Sequence, residues 1–172
     1  MKENYVLTIK AENRLGLLHL VTGMIEKKRI GIISLNAATT DIPEVVLITI
    51  ELNVAECDLM TLALKLENII EVFAVEAIKY DKVICLRPAY FKMDKAFLGT
   101  PKVSLLKEYS AVIVKWYPDA FLVAQYGSNT AICNLYNHLD GPYLLGFSQT
   151  GLISESALIA HDDIERIIRL AA

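Results

Sequence analysis

Apolar residues alternate from Tyr5 to Ala11, with Tyr5, Leu7, Ile9 and Ala11 on one side and Thr8 and Lys10 on the other. That is the period of a half-buried strand. After the turn Glu12-Asn13-Arg14-Leu15-Gly16 the period changes. Leu17, Leu20, Val21, Met24 and Ile25 recur at three- and four-residue intervals, with Lys27 and Lys28 at the end, which predicts an amphipathic helix over 17–28. Two β-rich runs follow, Ile30–Thr40, interrupted by Gly31, and Glu44–Leu52, where Val46, Ile48, Ile50 and Leu52 alternate. The turn Asp41-Ile42-Pro43 between them predicts a hairpin. Leu59, Leu62, Ala63, Leu66, Ile69 and Ile70 then mark a second helix, and Val72–Tyr80 a fourth strand. The order βαββαβ is the ferredoxin-like split arrangement.

Past Asp81-Lys82 the order repeats: a strand over 83–93, a stretch broken by Gly99 and Pro101, and a short helix over 102–110. Strands over 111–116 and 121–126 flank Tyr117-Pro118-Asp119-Ala120, which has hairpin chemistry. Ile132, Leu135, Tyr136 and Leu139 lie at helical spacing behind a Ser128 cap, and 143–147 forms a last strand, with Leu152-Ile153 extending past Gly151. The expected fold is α+β, two ferredoxin-like βαββαβ domains in tandem, at 1–81 and 82–172. The second is expected to end in a short helix capped by Asp162 and striped by Ile164, Ile167 and Ile168.

Hydrophobic residues make up 54% of the 172. Two small domains hide such a share less well than one large one, so part of it is expected in subunit contacts. A formal charge of −3 and a pI near 5.6 leave no electrostatic footprint for nucleic acid. With no apolar run of signal-peptide or membrane-spanning length, a cytoplasmic protein with no membrane partner is expected. Cys57, Cys85 and Cys133 are odd in number and widely spaced, so they read as reduced, buried thiols. His19, His138 and His161 lack companions at metal-ligand spacing, so no metal site is expected.

The chain contains no nucleophile elbow, phosphate-binding loop, zinc-protease helix or dinucleotide fingerprint, and no residue nominates itself as catalytic. Binding chemistry concentrates in Asn13-Arg14-Leu15-Gly16. Gly16 permits a positive φ, Asn13 can donate and accept, and no Ser, Thr or Asp immediately precedes Leu17 as a cap. The N–H groups of Gly16, Leu17 and Leu18 therefore need either water or a small anion.

Glu12-Asn13-Arg14-Leu15-Gly16-Leu17-Leu18, followed by Val21, Gly23, Lys27-Lys28, Ile32, Ser34 and Leu35, resembles the ACT domain of acetolactate synthase small regulatory subunits. That family runs E-N-x-x-G-x-L, V-x-G, a basic pair and N-I-x-S-L. The second half is similar to the family's C-terminal domain at Ala111–Val114 and at Gln149-Thr150-Gly151-Leu152-Ile153, so the resemblance covers about 4–154. Gly31 stands where the family has Asn, His19 where it has a small residue, and Gln149 where it has Arg.

The resemblance implies a non-catalytic homodimer in branched-chain amino acid biosynthesis that activates the acetolactate synthase catalytic subunit. It also implies feedback inhibition by a branched-chain amino acid effector. Thiamine diphosphate, FAD and Mg would belong to the catalytic partner, and this chain would carry no cofactor. The effector would contact Asn13, Leu15, Gly16, Leu17 and Leu18, with Gly31, Ile32 and Ile33 at the pairing edge. A stand-alone ACT-domain amino-acid sensor is the alternative.

Overall fold

The computed structural model describes residues 1–158. The described residues divide into two compact units, Met1–Ile84 together with 152–158, and Cys85–Gly151.

The first unit runs β1 (Lys2–Glu12), α1 (Leu17–Lys27), β2 (Gly31–Thr39), β3 (Val45–Ala55), α2 (Glu56–Glu67) and β4 (Val72–Lys79). Its sheet has the order β2-β3-β1-β4, all antiparallel, as a ferredoxin-like domain requires. β1 and β3 pair along their full lengths, from Lys2 opposite Ala55 to Glu12 opposite Val45. Tyr5, Leu7, Ile9 and Ala11 of β1 and Ile48, Ile50 and Leu52 of β3 face two helical stripes. Those stripes are Leu17, Val21 and Ile25 of α1, and Leu59, Leu62 and Leu66 of α2. Burial of each such side chain contributes roughly 1.5–3 kcal/mol. The stripes are narrower than the sequence spacing suggests. Leu20 lies off the α1 row of Leu17, Val21 and Ile25 and is exposed, and α2 ends at Glu67, so Ile70 falls in the turn beyond it and is exposed too.

β1 is not half-buried as its alternation predicts. Val6 and Thr8, on the face away from the helices, are as inaccessible as the core, and so are Thr49 and Glu51 of β3. Part of the cover is the segment after Gly151, which includes β9 (Ile153–Ser154). Ser156 Oγ lies 2.8 Å from both Thr8 Oγ1 and Ser154 Oγ, and Lys10 Nζ donates to the Leu158 carbonyl at 3.0 Å. The Glu155 carboxylate accepts from the Ile84 N–H, whose carbonyl in turn accepts from the Glu155 N–H.

These bonds move the expected boundaries. The first unit extends to Ile84 rather than to residue 81, and residues 152–158 group with it rather than with the second domain. The helix expected from Asp162 lies outside the described residues.

The second unit contains β5 (Cys85–Asp94), α3 (Ser104–Glu108), β6 (Val112–Trp116), β7 (Ala120–Gly127), α4 (Asn129–Leu139) and β8 (Leu144–Gln149). Along the path β6-β7-β5-β8 it repeats the topology of the first. Its crossover helix shrinks to five residues behind two 3-10 segments, since Gly99 and Pro101 break the run. Ser128 caps α4 as expected, accepting from the Ala131 N–H at 3.2 Å.

The core here is more aromatic. Phe91, Phe97 and Phe121 are fully buried, Phe91 packs on Phe147 at 5.0 Å, and Trp116 lies 5.5 Å from Phe121. Trp116 is the chain's single tryptophan. Phe91→Ala is expected to cost the second unit about 3–5 kcal/mol. Urea unfolding followed by Trp116 fluorescence measures it.

Candidate functional site

The turn between β1 and α1 is held by its backbone. The Asn13 N–H donates to the Glu44 carbonyl at 2.7 Å, the Arg14 N–H to Glu12 at 2.9 Å, and the Leu17 N–H to Arg14 at 3.3 Å. Gly16 precedes the helix with φ 89° and ψ −13°, a left-handed conformation that a side chain resists, and no side chain caps α1. The Leu17 N–H, expected to be open, is therefore taken. Those of Gly16, Leu18 and His19 have no acceptor among the described residues. They sit at the positive end of the helix dipole.

A cavity of about 250 Å³ opens beside this turn. Asn13, Arg14, Leu17 and Leu18 form one wall, and Ala37, Ala38 and Thr39 of β2 form the opposite one. Val46 and Ile48 of β3 make the floor. Apart from Asn13, Arg14 and Thr39 the lining is aliphatic, and no side chain in it carries a carboxylate. The cavity lies at the small end of ligand sites, which span roughly 300–1,000 Å³ for drug-sized molecules. It suits a molecule of amino-acid size.

The strand register separates the expected site residues into two groups. Asn13, Leu17 and Leu18 line the cavity, with Gly16 shaping its turn, whereas Leu15 points into solvent outside the lining. Gly31, Ile32 and Ile33 begin β2 at the far end of the sheet, where Gly31 pairs with Asn53, while Thr39 pairs with Val46 beside the turn. Eight residues of strand, roughly 26 Å, separate Gly31 from Thr39. Within one chain these groups do not meet. Sequence reading missed Arg14, Ala37, Ala38, Thr39, Val46 and Ile48. Alternation placed Val46 and Ile48 in the core, and nothing local shows that β2 returns its C-terminal end to the turn.

Charge at the turn is concentrated on Arg14. Its Nε donates to Glu12 Oε1 at 2.8 Å, and its Nη1 lies 4.0 Å from Glu71 Oε1. The hydrogen bond to Glu12, reinforced by that carboxylate's charge, raises the guanidinium pKa above its ordinary value. Arg14 is charged at every accessible pH.

A second cavity, of about 440 Å³, lies at the other end of the same sheet, between Glu3, Asn53 and Lys79. Two pairs of its polar groups are committed to one another. Lys79 Nζ pairs with Glu3 Oε2 at 2.6 Å, and Asn53 Nδ2 donates to Asn4 Oδ1 at 2.6 Å. The Lys79 bond, then the Tyr5 hydroxyl, holds the Glu3 carboxyl below its ordinary range. Cys85 is buried as expected, but Cys57 and Cys133 are exposed, on helix faces turned away from the Leu59 and Ile132 stripes. Among the described residues no three His, Cys, Asp or Glu side chains converge as a metal site would require, and no helix is long and apolar enough to cross a membrane.

No protein-family model and no curated protein matches the chain. Among solved structures it is similar to the acetolactate synthase small subunit from Thermotoga maritima, with a TM-score of 0.79 and 13% identity over 88% of this chain and 96% of that one. The ACT domain of GTP pyrophosphokinase from Chlorobium tepidum aligns over 45% of this chain and 100% of its own, at 25% identity and a TM-score of 0.40. The Thermotoga structure bears out the fold: α+β, with two ferredoxin-like domains in tandem. At the level of fold, the resemblance read over 4–154 is borne out.

The Gly16 backbone makes one direct prediction. A Cβ there would meet open space, so Gly16→Ala should lose only the cost of its left-handed backbone, about 1 kcal/mol, with the fold kept. Thermal denaturation of the variant checks it.

Proposed function

We propose that this chain is a non-catalytic regulatory subunit of the acetolactate synthase small-subunit kind. On this reading it works as a homodimer that binds a small aliphatic amino acid and tunes a separate catalytic subunit. The observation that carries the reading is the cavity at the strand–helix turn, placed on a fold shared with such a subunit along 88% of the chain. An uncapped helix start beside an aliphatic floor offers N–H groups to a carboxylate and apolar surface to a short side chain.

Pairing of two copies would bring the separated residues together. β2 is an edge strand whose sequence, Gly31 to Thr39, contains no charge and no proline, the devices that ordinarily protect an edge. Antiparallel pairing of two β2 edges about a two-fold near Leu35 sets residues 31–33 of one copy opposite 37–39 of the other. The partner's Gly31, Ile32 and Ile33 would then stand beside the cavity wall formed by Ala37–Thr39. Ligand in that seam shifts the dimer by binding one arrangement better than another.

The purified chain is expected to raise acetolactate production by the cognate catalytic subunit, and added valine, leucine or isoleucine to modulate it. No activation at any ratio overturns the subunit assignment, and binding without activation leaves a stand-alone sensor. Gly16→Asp should abolish the effector response with the fold retained, because it sets a negative charge among the open N–H groups. Ile33→Asp should shift the dimer toward monomer in sedimentation equilibrium, since it sets an unpaired carboxylate in the seam opposite the other copy's Ala37.

A further inference from the structure

We infer that Arg14 reads the carboxylate of the ligand in the turn cavity and that Glu12 is its positioning residue. The inference rests on the effector-site reading above and adds a residue that reading does not use. A guanidinium carries five donors in a rigid planar fork. In Arg14 the Nε donor is spent on Glu12 Oε1 at 2.8 Å, which fixes the plane of the fork. Nη1 is 4.0 Å from Glu71, beyond hydrogen-bond reach, and among the described residues neither terminal nitrogen has an acceptor.

Arg14 also lines the cavity, whose other polar side chains, Asn13 and Thr39, are neutral. The lining thus presents one cation and aliphatic surface for the remainder of the ligand, while the Glu12 and Glu71 carboxylates beside that cation lie outside the lining. Two parallel N–H donors match two carboxylate oxygens, a geometry that an ammonium cannot reproduce. The ligand class is a small aliphatic monocarboxylate. Both a branched amino acid and its 2-oxo counterpart have that chemistry, and Glu71 is the nearest carboxylate competing for Nη1.

Calorimetric titration of the full chain with L-valine, 3-methyl-2-oxobutanoate and L-valinamide tests this. Wild type should bind at least one of the two carboxylates, which separates amino acid from 2-oxo acid, and bind the amide at least about tenfold more weakly than the better of them. Arg14→Gln and Arg14→Lys should each weaken carboxylate binding about tenfold or more with thermal denaturation unchanged, since the side chain is mostly exposed. Glu12→Gln should weaken binding in the wild-type background and have no further effect beside Arg14→Gln, the signature of action through Arg14. If valine binds and the Arg14 variants stay within twofold of wild type, Arg14 is not the reader and the effector site stands. If none of the three probes binds, the effector reading fails and this inference with it.

Discussion

The hydrogen-bonded placement of β1 between β3 and β4 is the constraint on which the first unit depends. A strand paired on both edges and buried on both faces has no freedom to slide, because a one-residue slip would exchange Leu7 and Ile9 for Thr8 and Lys10 in the helix-facing core. The end of such a strand is a fixed point. Glu12, Asn13 and Arg14 leave from it, and the backbone bonds from Asn13 to Glu44 and from Glu12 to Glu71 tie that end to both neighbouring strand connections. The turn is therefore held by the sheet rather than by contacts of its own side chains.

Rigidity at the base fixes where the left-handed glycine sits. A left-handed residue immediately before a helix lets the chain reverse from strand to helix without a capping side chain, at the cost of leaving several N–H groups open. In an ordinary loop water would fill that role. Here the open groups adjoin an aliphatic recess and a guanidinium whose orientation is set by its own salt bridge, the features on which the proposed carboxylate site rests.

The two units show how one topology is stabilised by different chemistry. The first packs aliphatic side chains from two helices against its sheet, whereas the second, with a much shorter crossover helix, fills the same layer with Phe91, Phe97 and Phe121. Large rings bury more area per residue and compensate for the missing helical turns. The hydroxyl chain from Ser154 through Ser156 to Thr8 is of another kind. It satisfies a polar strand face that the alternating pattern assigns to water.

Periodicity along the chain was enough to determine both βαββαβ orders, the hairpins, the Ser128 cap and the special turn at Gly16. These are local properties, set by which side of a strand or helix a residue occupies and by which backbone angles it accepts. Pairing was not legible. That Thr39 rather than Gly31 reaches the turn, that Leu15 points outward, and that Arg14 bridges toward Glu71 all follow from strand register and loop closure across dozens of residues. The same holds for the return of residues 152–158 to β1, which moved the domain boundary and buried Thr8. Local pattern says what a segment is. Only tertiary packing says what it lies against, because burial and hydrogen-bond partners come from segments remote in sequence.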